Sequence, residues 1–367
     1  MSVMDLPFAL SPKRTPGKPA VPPRYVIEEA PELAEPLPPL AWVCRGLRVA
    51  RGSLTIVSGY GYSQKTLYCQ SLALSVATGT RALGIYETER MPVVHIDYEQ
   101  GQRTTRERYQ RLARAAGVEL ATSRLNVITF PRFRLTSDDG RDAIQRILEE
   151  TRAGLVVLDS LRASIAGVDE NSSEIREYLD LMGQEVKRVD AAAIVIHHAR
   201  KPAEGKGDGR YSLRGSGAIY DACDGVFVFA GEKGQPTTVE HAKDRLEGVE
   251  LDPFGLYSED VAQGGDARWG LRLVHLEAEQ LREREESSED SKRKSAVEKA
   301  KWSIRKRIAE CRGVFPGSRN TLYAEIGGKK EIFVRAIGEM ERAGEVHASG
   351  SGKETLLSLS VSRGSVP

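Results

Sequence analysis

The feature that most constrains this chain is a set of short apolar runs that recur between residue 53 and about residue 276. They are Leu54-Thr55-Ile56-Val57, Val93-Val94-His95-Ile96, Leu125 to Ile128, Leu155-Val156-Val157-Leu158, Ala193 to Ile196, and Val226-Phe227-Val228-Phe229. Runs of this length without polar alternation suit strands covered on both faces, the condition of a parallel sheet. Amphipathic stretches at about 65–78, 103–116, 139–151 and 172–189 fall between them and predict helices. Such alternation builds βαβ units, so the expected fold is α/β with a doubly wound, mostly parallel sheet. Segments at about 237–243, 254–258 and 268–276 read as extra strands, with antiparallel pairing as an option.

With 367 residues, 40% of them hydrophobic, the chain has room for a large core and a smaller module. Residues 1–38 are rich in proline and charge and lack a helical period, which predicts a disordered or extended Pro-rich extension. The α/β core is expected over 39–276. Residues 277–296 are almost all polar with mixed charge, so they read as a charged linker, either a solvated helix or a hinge. Over 297–367 a helix bearing Ile304, Ile308 and Cys311 comes first. The segment Thr321 to Ile326, Gly327-Gly328 and a helix with Ile332, Ile337 and Met340 follow. A hairpin turned at Gly350-Ser351-Gly352 closes the chain. That order outlines a winged-helix-like domain, and a small α+β oligomerisation module is the alternative.

The 53 basic and 52 acidic residues cancel to +1, so any nucleic-acid surface must be local. Cys44, Cys69, Cys223 and Cys311 are too scattered for a disulfide framework or a CxxC metal site and read as reduced thiols. No apolar run reaches the roughly 18 residues needed to span a membrane and no signal peptide is visible, so the expectation is a cytoplasmic protein with no membrane partner.

The first apolar run leads into Ser58-Gly59-Tyr60-Gly61-Tyr62-Ser63-Gln64-Lys65-Thr66, ahead of the first predicted helix. A P-loop wraps phosphates with backbone N–H groups, sets its lysine on the β- and γ-phosphates, and uses its hydroxyl residue as a magnesium ligand. Gly59, Gly61, Ser63, Gln64, Lys65 and Thr66 are therefore the candidate ATP-binding residues, with Thr66 also a candidate Mg2+ ligand. Gln64 stands where glycine is usual. The competing reading is a structural strand-to-helix turn.

Other strand ends carry further candidates. Asp159 follows four aliphatic residues and is suited to hold Mg2+ beside a P-loop; a simple strand-end cap is the alternative. Asp97 and Glu99 follow the second run, where a carboxylate can act as general base on water. His197-His198 closes another run, placed to sense a γ-phosphate; no third ligand is spaced in sequence for a zinc site. The glycine-rich loop that follows carries Arg200, Lys201, Lys206, Arg210 and Arg214. It is suited to grip the phosphate backbone of single-stranded DNA, or is a solvated loop.

From Trp42 to Glu247 these motifs resemble the RecA-like hexameric ATPases, in particular the plasmid RepA-type replicative helicases and, more distantly, the DnaB-type helicases. Trp42 to Leu54 resembles the lead-in to the P-loop, and Val94 to Gly101 the strand with the catalytic glutamate, which falls on Glu99. Leu158 to Arg162, Asp169 to Ser173 and His198 to Lys201 resemble the Walker B stretch, the loop after it and the histidine-bearing strand. Leu213 to Ile219 with Asp224 resembles the DNA-proximal motif of DnaB-type proteins. Ala242-Lys243-Asp244-Arg245 resembles the site that sends a lysine and an arginine into a neighbouring subunit's nucleotide. The resemblance implies a RecA-like core, ATP and Mg2+ as cofactors, catalytic roles for Glu99, His198, Lys243 and Arg245, and a homo-oligomer, expected to be a hexamer. For Lys243 and Arg245 the bland alternative is a salt bridge to Glu247.

The leading expectation is an ATP-hydrolysing, ring-forming motor or loader acting on single-stranded DNA in replication of a plasmid or mobile element. An alternative is a DNA-binding regulatory or structural protein with a slow P-loop, whose C-terminal domain reads duplex DNA through residues 329–343, with Lys329, Lys330 and Arg335. A RecA-fold ATPase acting on proteins is a third reading.

Overall fold

A computed structural model of the chain describes residues 29–137, 139–168, 174–199, 217–350 and 355–360. Residues up to Leu40 form a unit apart from Ala41–Pro367. In the first unit, α1 (Ala30–Leu33) is one helical turn with Pro31 in its opening positions and the Glu29 N–H donating to the Glu32 carboxylate. The Pro-rich extension thus holds a helical turn near its end, where proline's fixed φ suits a helix start. The rest of residues 1–38, up to residue 28, lies outside the described residues.

The second unit opens with β1 (Trp42–Cys44) and β2 (Val49–Ala50), a small antiparallel pair. The core then runs β3 (Leu54–Gly59), α2 (Lys65–Thr78), β4 (Val93–Asp97), α3 (Gly101–Ala116), β5 (Leu125–Thr129), α4 (Gly140–Thr151) and β6 (Leu155–Asp159). It continues through α5 (Leu161–Ser164), α6 (Ile175–Arg188), β7 (Ala192–His198), α7 (Gly217–Ala222), β8 (Gly225–Ala230), β9 (Thr237–Asp244), β10 (Phe254–Gln263) and β11 (Asp266–Leu276).

These strands make one nine-stranded sheet, in the order β11-β10-β9-β8-β3-β7-β6-β4-β5. From β8 to β5 all pairings are parallel, and β9 to β11 join antiparallel. The fold is α/β with a RecA-like, mostly parallel sheet. Every residue of β3, β4 and β6 is buried, because helices cover both faces. Alternate side chains enter two cores: Val93, Leu155 and Val157 join Leu72 of α2 and Leu112 of α3, while Val94, Ile96, Val156 and Leu158 join Ile144, Leu148, Leu179 and Met182 of α4 and α6.

After β11 comes α8 (Ala278–Glu310), 33 residues long. The expected charged linker 277–296 is therefore helical and continuous with the first helix of the C-terminal module. Leu281 within that polar stretch and Val297 just beyond it are buried and supply the apolar anchors its composition hides. Beyond α8 lie β12 (Val314–Pro316), α9 (Arg319–Ile326), α10 (Lys330–Arg342), β13 (Val346–Ser349) and β14 (Leu356–Leu359). The three strands pair in the order β12-β14-β13. Ile304, Ile308, Phe315, Leu322, Phe333, Ile337, Met340 and Leu357 make a separate small core.

Candidate active site

The parallel strands β3, β7, β6 and β4 lie side by side, so their carboxyl ends present adjacent loops, where open α/β sheets bind ligands. At the end of β3, Gly59 is level with His198 of β7 and Phe229 of β8. A Cβ at Gly59 would lie 2.3 Å from the Phe229 carbonyl oxygen, so close backbone approach demands glycine there. Gly61 has no such crowding and no positive φ. Tyr62 (φ 67) and Gln64 (φ 61) are both left-handed, a geometry that costs about 1–2 kcal/mol per non-glycine residue. Gln64 is the residue that caps α2, and its Nε2 donates to Thr237 Oγ1 at 3.2 Å.

The Lys65 ammonium donates to the Tyr60 carbonyl at 2.8 Å and to Ser63 Oγ at 3.1 Å, and Ser63 Oγ donates to the same carbonyl at 2.7 Å. Burial lowers the Lys65 pKa to about 8, opposed by the nearby Asp159. The lysine is thus curled onto its own loop, held by weak neutral acceptors that a phosphate would outcompete.

Asp159, at the end of β6, is fully buried, and among the described residues neither carboxylate oxygen completes a hydrogen bond. Burial raises its pKa to about 6; the Thr66 hydroxyl, in the first turn of α2, pulls the other way although it completes no hydrogen bond. Two orphaned buried oxygens are costly unless a cation meets them, and an aspartate beside a hydroxyl is an oxygen donor set that suits Mg2+.

The two carboxylates after β4 have different jobs. Asp97 accepts the Glu99 and Gln100 N–H groups at 2.9 and 2.8 Å and the Thr105 hydroxyl, which fixes the turn into α3. Glu99 faces the site instead. One of its oxygens accepts the Ser160 hydroxyl and the other lies 3.2 Å from His198 Nε2. The His198 contact, with help from Ser160, holds the Glu99 carboxyl below the usual carboxylate range. Ligand atoms of Glu99, Asp159 and His198 all lie within 4.8 Å of one another. Glu99 and Asp159 reach His198 from other strands, and His197 is not part of that group. His197 is buried, and its pKa falls to about 4 through burial, then the charges of His198 and Lys65.

Lys65, Thr66, Glu99, Asp159 and His198 therefore converge, and Lys243 and Arg245 do not. β9 runs antiparallel, so Lys243 is level with Val226, the base of β8, while Phe229 is level with Gly59. The Lys243 ammonium donates to the Tyr220 carbonyl and sits 4.6 Å from that ring's centroid, and Arg245 donates to the Asp221 carbonyl at 2.8 Å. Glu247 pairs with Arg48 and Arg45, so the alternative of a bridge to Lys243 or Arg245 gives way. Asp224 is buried with its carboxylate accepting the Leu54 N–H at 2.9 Å, a structural role. The candidate DNA contacts Arg200, Lys201, Lys206, Arg210 and Arg214 lie outside the described residues, as do Asp169 to Ser173. Two residues that hold the site escaped the sequence reading: Ser160, adjacent to Asp159, and Thr237. Only the hydroxyl next to the strand-end aspartate offered a signal.

A phosphate-type loop with its lysine, a buried strand-end aspartate and a glutamate on the neighbouring strand define the class: a P-loop ATPase site on a RecA-like sheet. A family model described as an AAA domain matches residues 20–204, half of the chain, and the chain belongs to that family. The match takes in the P-loop, Glu99, Asp159 and His198 and ends before Lys243. No curated protein matches the chain.

Proposed function

We propose that this protein is an ATP-hydrolysing, ring-forming ATPase of the RepA-like kind that acts on single-stranded DNA as a motor or loader in replication. The observation that carries the reading is the convergence of Lys65, Asp159, Glu99 and His198 at four adjacent strand ends, with both Asp159 oxygens left for a cation. Lys65 leaves the Tyr60 carbonyl to bind the β- and γ-phosphates. Thr66 and Asp159 hold Mg2+, which when bound offsets phosphate charge. Glu99 takes a proton from water as the water oxygen bonds to the γ-phosphorus and the β–γ bridging oxygen leaves with its electron pair. His198, hydrogen-bonded to Glu99, reports the occupancy of that position to the basic segment 199–214. Lys243 and Arg245 complete the site of the next protomer in a homo-oligomer, a hexamer in this reading. A winged-helix role for residues 297–367 adds contact with duplex DNA.

The test is Mg2+-dependent ATP hydrolysis with and without single-stranded DNA, in the parent and in Lys65→Ala. Stimulation by DNA that Lys65→Ala abolishes is expected. A parent that binds no nucleotide, and is indifferent to the substitution, would sink the motor.

The second reading, a regulatory or structural DNA-binding protein with a slow loop, is favoured by one observation: Gln64 occupies the left-handed position without glycine's freedom. Gln64→Gly separates the two. A large gain in turnover marks the native loop as slow, and no gain marks it as an active loop that tolerates glutamine.

A further inference from the structure

The two non-glycine residues at left-handed φ in the P-loop are both engaged by the turn between β8 and β9. Gln64 Nε2 reaches the hydroxyl of Thr237, the first residue of β9, at 3.2 Å. The Lys233 ammonium lies 6.0 Å from the centroid of the exposed Tyr62 ring. Thr237 is fully buried, and a Cβ at Gly231 would fall 2.5 Å from its hydroxyl oxygen, so that glycine keeps the space the hydroxyl occupies. On the other side of the loop the Phe229 carbonyl, at the end of β8, abuts Gly59. The start, tip and end of the loop are thus each met by the strand-turn-strand unit 229–237.

We propose that this β8–β9 turn braces the P-loop, with Thr237 as a positioning residue of the nucleotide site. Where glycine would let the backbone settle around the phosphates, Gln64 is held in shape by a side-chain tether, and Thr237 is the anchor. Lys233 steadies Tyr62 from solvent. The brace fixes where the Gln64 and Lys65 backbone N–H groups point, and so acts on phosphate binding through the loop without touching the ligand. The Gln64 Oε1 is already buried without a hydrogen-bond partner among the described residues, so removing the anchor takes away the hydrogen bond that its amide does make to Thr237. This inference rests on the nucleotide-binding reading above.

The experiment is calorimetric titration of the full chain with Mg·ATP and Mg·ADP, in the parent, Lys65→Ala, Thr237→Val, Thr237→Ser, Gln64→Gly and the Gln64→Gly/Thr237→Val double variant. Loss of one hydrogen bond to the loop is expected to weaken nucleotide binding about three- to tenfold in Thr237→Val, with Thr237→Ser close to the parent. In the Gln64→Gly background Thr237→Val should cost nothing further, because the anchor has lost its partner. Should Thr237→Val fail to fold, Gln64→Leu breaks the same contact from the loop side and should weaken binding similarly. Parental affinity in Thr237→Val or Gln64→Leu overturns the brace and leaves the nucleotide reading standing, as does an undiminished Thr237→Val effect beside Gln64→Gly. A parent that binds no better than Lys65→Ala overturns both.

Discussion

Asp97 and Glu99 leave the same strand two residues apart, and only their hydrogen bonds tell them apart. Asp97 is consumed by two backbone N–H groups and a threonine hydroxyl, whereas Glu99 meets the Asp159 side of the site. Glu99→Gln should therefore keep nucleotide affinity while lowering turnover about 10²–10⁴-fold, the usual worth of a general base; equal loss of binding in the titration would assign Glu99 to ligand holding instead. Asp159 makes a prediction about pH. Its native pKa of about 6 lies above the unfolded value of about 3.9, so the native state binds the extra proton between those values. Its contribution to stability is present below about pH 4 and lost as pH rises through 6. In the absence of Mg2+, Asp159→Asn should raise stability at pH 7.5 by about 1–3 kcal/mol, and the gain should vanish towards pH 4. Melting curves across that range check it, and a gain independent of pH would refute the buried-charge account. Sequence placed Lys65, Thr66, Glu99, Asp159 and His198 at strand ends because those positions are local. It missed Thr237, whose contact spans 173 positions of chain.

At the scale of elements, five of the six parallel strands were legible because burial on both faces demands continuous apolar runs, whereas β5, at the sheet edge, has the apolar run without the burial. The order of those strands was not, since crossovers set it and no local pattern records that β3 lies between β7 and β8. β1 and β2 are three and two residues long, too short for a period to show. α7 begins at Gly217, where the glycine-rich segment ends, and at six residues is too short for a helical period to show. The stretch 277–296 left helix and hinge open because the apolar anchors in it and just after it, Leu281 and Val297, are sixteen positions apart in a charged background. Its helical state is testable: proline at Glu286, an exposed interior position, should cost about 3 kcal/mol of helix stability and reduce far-ultraviolet ellipticity. An unchanged spectrum would mean that this stretch is not helical in solution.

For the whole molecule, the placement of Lys243 and Arg245 is the informative fact. Val239 is level with Phe229, and Lys243 lies four residues farther along β9, roughly 13 Å down the strand from the P-loop level. A role at a nucleotide therefore needs a second protomer. Arg245→Ala should bind ATP normally yet lose a factor of about 10³–10⁵ in rate, the range of an arginine supplied in trans. Mixing it with Lys65→Ala should restore hydrolysis that neither shows alone, because some junctions then combine an intact loop with an intact arginine. Mixed assemblies, verified by mass, that stay inactive would count against a shared site.

The uninterrupted α8 has a mechanical consequence. Only Glu277 separates it from β11, the strand at one edge of the sheet, and it runs 33 residues into the small C-terminal core. At 1.5 Å per residue it is a rod of about 50 Å with no slack at its foot. A tilt of about 10° in that edge strand would swing the far end by about 9 Å. Such a rod would pass a small adjustment of the sheet edge to the C-terminal core as a larger displacement, through a segment whose composition leaves both helix and hinge open.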